Sequence, residues 1–350
     1  MASRIALFNH KGGVSKTTTT FNLGWKLAEK GKSVLMVDAD PQCNLTGLVM
    51  GLQQHGDFEG FYQTEPMRNL KAGVAPAFES RPTLIKAVDP VPVEGREHLF
   101  LLPGHIALSE YEVTLGIAQE LSASIQTLQN LPGAVPFLLE ATADTIAADY
   151  VLIDMNPSLS SINQNLLMTS DYFLVPTSPD YFSVMALNSL AVVLPKWRTW
   201  AAGASASPTL RDADYPFPVS VPRFLGIVIQ NFRPRGGEPA AAFGKWVQAL
   251  KDAVRSTLAP KLQEAEMMLP PDAYGAAGAD ESLCLATIPD FNSLIAASQQ
   301  ERTPVFALTP EQIGRTGVVL EQTIKSRNQF DELFSGLADK ILALTGNAPN

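Results

Sequence analysis

Four apolar residues in a row, Ile5-Ala6-Leu7-Phe8, lead almost at once into Lys11-Gly12-Gly13-Val14-Ser15-Lys16-Thr17-Thr18. A short, unbroken apolar run reads as a parallel strand covered on both faces. Beyond the glycines, Phe21, Trp25 and Ala28 recur at helical spacing, and Gly31 stands where a left-handed cap would end the helix. Strand, glycine turn and helix in that order bring exposed backbone N–H groups and a helix N-terminus to one point, which suits a phosphate. A chain built around such a unit needs a sheet whose strands run parallel and are joined by helices.

The same alternation continues downstream. Further apolar runs stand at 34–37, 99–102, 151–153, 173–175, 225–229 and 283–288, with helical patterns around 109–130, 137–148 and 183–194 between most of them. Strands separated by helices predict an α/β protein with a doubly wound, mostly parallel sheet. Three stretches read as excursions, at approximately 53–98, 201–222 and 233–280. The first is rich in Pro and Gly, with a short helix expected near 83–88. The second is small, polar and proline-bearing, and reads as a loop. The third holds a helix over roughly 240–258 and then a flexible segment at 270–278. Strand signals resume on both sides of every excursion, so residues 1–350 read as a single domain with insertions.

With 46% hydrophobic residues the chain can bury a large core, which excludes disordered and fibrous classes. No apolar run reaches the roughly 18 to 20 residues of a bilayer span, and the N-terminus lacks a signal-peptide layout, so a cytoplasmic protein is expected. Cys43 and Cys284 are too few for a disulfide framework and lack metal-ligand spacing. Both are expected to be small buried hydrophobes. A formal charge of −9 argues against an all-over positive potential and leaves room for a local basic patch.

The loop fits the general P-loop pattern, in which Lys16 bridges the β- and γ-phosphates and the Thr17 hydroxyl ligates Mg²⁺. Ser15 stands where that pattern has its second glycine. The feature that sharpens the reading is Lys11, a second lysine directly before the glycine pair. Lys11-Gly-Gly-Val-Ser-Lys16-Thr-Thr resembles the deviant Walker A motif of the ParA/MinD family of P-loop ATPases. The resemblance implies an ATP site formed by Lys11, Gly12, Gly13, Val14, Ser15, Lys16, Thr17 and Thr18. It also implies that Lys11 reaches across a nucleotide-sandwich homodimer to the partner's phosphates.

Asp38-Ala39-Asp40-Pro41-Gln42 resembles the family's DxDPQ segment. On that likeness Asp40 positions the attacking water and Asp38 lies near the Mg²⁺ shell. Val151-Leu152-Ile153-Asp154 is an apolar strand ending in an acid, as in a Walker B segment, and Asp154 would hold Mg²⁺ through water. Asn156-Pro157 departs from the family's more usual Pro-Pro. Asn231, at the end of a strand, and Pro289 and Asp290 are similar to segments that line the base pocket.

What the resemblance implies about function is an ATP-hydrolysing, dimerising switch that partitions or positions DNA or other cargo. The ATP dimer would bind DNA without sequence preference, and a ParB-like or cargo-adaptor partner would stimulate hydrolysis. Nucleoid association would follow from DNA binding. Basic candidates for such a surface are Lys245, Lys251 and Arg255 on one helical stretch, Lys325 and Arg327 on another, and Lys196 and Arg198. Two other readings stand beside this one: an ATPase that positions a protein complex without DNA, and an ATP-dependent biosynthetic synthetase on the same fold. A membrane switch would need a basic amphipathic C-terminal helix, a cluster-bearing reductase would need bridging cysteines, and a tyrosine kinase of this fold would carry a terminal tyrosine cluster. None of these features is present in the sequence.

Overall fold

The protein is described from a computed structural model covering residues 1–121, 128–232, 234–235, 238–239 and 241–346. The first unit is as the sequence suggests: β1 (Ser3–Leu7), α1 (Lys16–Glu29) and β2 (Val34–Asp38). Gly31 takes φ 83 and donates its N–H to Ala28, closing α1 with a left-handed turn. Then come α2 (Asn44–Met50), α3 (His55–Thr64), α4 (Leu70–Phe78), β3 (Val91–Pro92) and β4 (Leu99–Leu102). The middle of the chain forms α5 (Glu110–Leu121), α6 (Leu131–Thr145), β5 (Tyr150–Asp154), α7 (Ser161–Met168) and β6 (Tyr172–Thr177). It continues through α8 (Tyr181–Ala206), α9 (Pro208–Arg211) and β7 (Arg223–Phe232). A small ribbon, β8 (Pro234–Arg235) with β9 (Glu238–Pro239), precedes α10 (Ala241–Ala253), α11 (Ala259–Glu264) and α12 (Pro271–Ala276). Last come β10 (Cys284–Pro289), α13 (Leu294–Gln300), α14 (Pro310–Ile313) and α15 (Gly317–Gly346).

Eight strands form one sheet in the order β10-β7-β6-β1-β5-β2-β4-β3. All pairs are parallel except the antiparallel edge pair of β3 and β4. The chain moves outward from β1 to β4 and then doubles back past β1 to β10, so the helices that join the strands cover both faces. α1 and α15 pack together, while α6, α7 and α8 pack in sequence with one another. Both-face coverage explains the unbroken apolar strands: every residue of β2, β5 and β6 is buried. Register then sets the site. Leu7 pairs with Asp154 and Asp38 also pairs with Asp154, so β1, β2 and β5 end level with one another.

The excursions differ from their sequence reading. No helix forms at 83–88. There the N–H groups of Ile85 and Val88 are satisfied by the Tyr215 hydroxyl and Thr142 Oγ1, which lets an extended chain bury both side chains, and the helices of this segment are α3 and α4. Residues 201–222 are not wholly loop: α8 runs on to Ala206, since an alanine-rich stretch follows Pro195, and α9 comes next. The helical stretch around 109–130 is α5, ending at Leu121, with 122–127 outside the described residues. The helix read over 240–258 is α10 followed by a π-helical turn at Val254–Leu258, with residue 240 itself outside the described set, and the segment at 270–278 contains α12. Leu250, Val254, Leu258 and Leu262 are fully buried, so this excursion lays an apolar face on the core. Cys43 is buried as expected, whereas Cys284 is only partly so because β10 is an edge strand. Among the described residues no helix is long and apolar enough to cross a membrane.

Candidate functional site

The loop between β1 and α1 bends through two left-handed residues, Gly13 at φ 71 and Ser15 at φ 60. Ser15 is therefore not in an ordinary conformation, despite its side chain. It sits at the N-cap of α1 without making a side-chain cap, and the first turn carries no acid. The N–H groups of that turn are left for an anion. Lys16 folds back over the loop, and its Nζ donates to the carbonyls of Asn9 at 3.0 Å and Lys11 at 3.3 Å. It is 7% exposed, and burial pulls its pKa down against the opposing pull of Asp154 and Asp40.

Three acids reach this point from the ends of β2 and β5. Asp154 accepts from Thr17 Oγ1 at 2.6 Å, while its Oδ1 is buried without a partner. Burial, with the Asp38 charge added, raises it well above the usual carboxylate range. Asp40 accepts from the Gln42 N–H at 2.9 Å, and burial raises it despite that bond and the Lys16 charge. Asp38 has no exposed surface. Its Oδ2 takes the Thr46 N–H at 2.7 Å and hydroxyl at 2.6 Å, its Oδ1 takes the Asp40 N–H, and burial pushes it up to about 6. Among the described residues no cluster of three or more His, Cys, Asp or Glu could hold a metal by itself. The orphaned Asp154 oxygen beside the Thr17 hydroxyl does fit a cation completed by phosphate and water.

Lys11 lies on the other side of the loop. Its Nζ donates to Asp180 and, at 3.0 Å, to Ser183 Oγ. Burial would raise Asp180, but the Lys11 ammonium and the Ser183 donors outweigh it and hold that carboxyl below its ordinary value. The Asn156 departure also has a local reason. Asn163, fully buried on α7, donates to Asn156 Oδ1 at 2.7 Å and to the carbonyls of Asn156 and Ser158 at 2.9 and 2.8 Å. This clamp holds Pro157 beside Gly12, where an added Cβ would make ordinary contact at 3.8 Å.

A cleft of about 1160 Å³ opens from the loop, lined by Gly12 to Thr18, Asp40, Asn44, Phe58 and Gln299 among others. Asn231 reaches the loop directly and donates to Ser15 Oγ at 2.7 Å. Pro289 and Asp290 instead line a neighbouring groove of about 1030 Å³ between α10 and α15, which Lys251 also lines. The basic candidates are not a free positive patch. Lys251 pairs with Asp280 at 3.6 Å and Arg255 with Asp252 at 2.8 Å, and Arg198 stands 3.7 Å from Glu266. Lys245 lies over the Trp246 ring, and Arg327 donates to the Leu308 carbonyl at 3.0 Å, while Lys196 and Lys325 are exposed. Asn9, Thr46, Asp180, Ser183 and Asn163 also carry parts of this network: Asp180 and Ser183 meet Lys11 from 169 and 172 positions away, whereas Thr46 and Asn163 act across turns on Asp38 and Asn156, 8 and 7 positions away.

A family model described as an AAA domain matches residues 2–199. The chain is 33% identical over 208 residues to the chromosome-partitioning ATPase Soj of Thermus thermophilus, covering 59% of this chain and 66% of that one. It is 31% identical over 196 residues to the chromosome partitioning protein ParA of Caulobacter vibrioides, covering 55% of this chain and 62% of the relative. The chain thus spans less than two thirds of the length of these curated relatives. In fold it is similar to the structure of pNOB8 ParA bound to nonspecific DNA, with a TM-score of 0.60 and 19% identity over 100% of both chains.

Proposed function

The chain belongs to the AAA-domain family as a ParA-type P-loop ATPase, and from that premise we propose that it is an ATP-driven dimerising switch that hydrolyses ATP and partitions or positions DNA or other cargo. The observation that carries this reading is the meeting of Lys16, Thr17, Asp40 and Asp154 at the uncapped first turn of α1, with a second lysine, Lys11, across the loop on Asp180 and Ser183. Lys16 and the loop N–H groups bind the phosphates. Thr17 and Asp154 would hold Mg²⁺, which would supply positive charge to offset that of the phosphates. Asp40 orients the attacking water, and Asp38 holds the Asp40 turn through its bonds to Thr46 and the Asp40 N–H. The base would extend from the loop toward the neighbouring groove that Pro289 and Asp290 line.

Lys11 acts across a homodimer. In one chain it rests on Asp180, a half-exposed pair of little net strength, so a partner's phosphates can compete for it. ATP favours the dimer, and hydrolysis releases it. Residues 1–350 work as a single domain in the cytoplasm, nucleoid-associated where the dimer holds DNA and released when a ParB-like or cargo-adaptor partner stimulates hydrolysis. The DNA surface centres on exposed Lys325 with Arg327 and Lys245, because Lys251 and Arg255 are offset by neighbouring acids. That same offsetting, with the charge of −9, favours as a second reading a switch that positions a protein complex without DNA.

The experiment is retention of the Asp40→Ala protein on random-sequence DNA with ATP and with ADP at moderate salt. Retention with ATP alone supports the DNA-riding switch. ATP-dependent dimerisation without retention selects the second reading, and no ATP-dependent dimer at all removes both.

A further inference from the structure

Two non-glycine residues with left-handed backbone meet at the phosphate loop: Ser15 at φ 60 and Asn231 at φ 61. Asparagine adopts this conformation readily, whereas a serine adopts it at a cost that something nearby must offset. Asn231 Nδ2 donates to Ser15 Oγ at 2.7 Å. The residue before it, Gln230, is 1% exposed and donates to Thr19 Oγ1. Thr19 in turn donates to the Ser15 carbonyl through its N–H at 2.9 Å and its hydroxyl at 2.7 Å. Consecutive side chains at the end of β7 therefore grip Ser15 by its hydroxyl and, through Thr19, by its carbonyl. β7 does not neighbour β1, since β6 lies between them. The grip thus comes from outside the strand–turn–helix unit that forms the loop.

We propose that Asn231 is a positioning residue for the phosphate loop. By holding Ser15 in its left-handed turn it presets the loop N–H groups and Lys16 for the phosphates, whatever base the nucleotide carries. This rests on the ATP-binding reading above. If the Asn231 amide served the base instead, its loss would be felt only by adenine nucleotides.

Asn231→Gly tests this directly, because it removes the amide while tolerating φ 61. Binding of ATP, GTP and inorganic tripolyphosphate to the full chain with Mg²⁺ is measured by calorimetry. All three are expected to weaken by the same factor, about three- to tenfold, as for one hydrogen bond. The factor is expected to vanish in a Ser15→Gly background, which has no hydroxyl to hold. A loss confined to ATP, a loss that persists unchanged beside Ser15→Gly, or no loss for any ligand overturns the proposal. A wild-type chain that binds none of the three ligands would instead remove the ATP-binding reading itself, so the two failures are told apart.

Discussion

Asp38 shows how far burial governs the chemistry of single residues in this site. It accepts hydrogen bonds from Thr46 and Asp40, yet the loss of water still pushes its carboxyl from 3.8 up to about 6. Within that window the folded chain keeps a proton that the unfolded chain has released. Stability therefore falls as pH rises through it and stays lowered above it, by on the order of 3 kcal/mol. Asp38→Asn is neutral at every pH. In urea unfolding of the nucleotide-free protein it should gain on the wild type by up to that amount between about pH 4 and about pH 7.5. A difference that does not move with pH would mean that the Asp38 charge is fully compensated. Asp180 is legible in a different way: its Oδ1 caps α8 by accepting from the Ser183 N–H at 2.8 Å. An acid three residues before a serine is only a capping signal in sequence, and its hold on Lys11 appears only when β6 is laid beside β1.

Elements are held in place as much by what is missing as by what is present. A Cβ on Gly133 in α6 would lie 1.8 Å from the Tyr215 carbonyl oxygen and 2.6 Å from its carbon. Backbone at that distance cannot move aside cheaply, so Gly133→Ala should cost about 3 kcal/mol by driving α6 away from the 215–216 segment. Gly203 in α8 has nothing within 4 Å of its would-be Cβ, and Gly203→Ala should stabilise by about 0.5 to 1 kcal/mol through helix propensity. Thermal unfolding of the two variants reads both effects, and equal shifts would refute this packing account. The contrast also explains the misread segment after 201. Small residues and later prolines suggest a loop locally, but alanines favour the helix and α8 continues on its partly buried face.

At the scale of the whole molecule, charge distribution decides which surface is left to meet a polyanion. Counting lysines and arginines nominated several surfaces, whereas the folded chain offsets Lys251, Arg255 and Arg198 with Asp280, Asp252, Glu281 and Glu266. Lys325 stays exposed on α15. Reversing Lys325 and Arg327 to Glu should abolish ATP-dependent retention on random DNA and leave ATP-dependent dimerisation, measured by sedimentation, unchanged. Retention that survives the reversal would place the DNA surface elsewhere. Raised salt should weaken wild-type retention steeply, because phosphate contacts release counterions.

The sequence by itself determined the parallel, doubly wound sheet and the phosphate loop, and it put Lys11, Lys16, Thr17, Asp40 and Asp154 forward as candidates. Those features are local: apolar runs reveal strands buried on both faces, and a glycine turn followed by Lys-Thr is one contiguous unit. Only the tertiary structure decided where the acids end relative to the loop, that Ser15 is left-handed and gripped by Asn231, and which basic groups are already paired. The acids and Ser15 depend on strand register and on side chains far apart in sequence, 216 positions for Asn231 and Ser15, while the ion pairs depend on how α10 meets the segment before β10, and contacts of either kind leave no periodic trace in a single sequence.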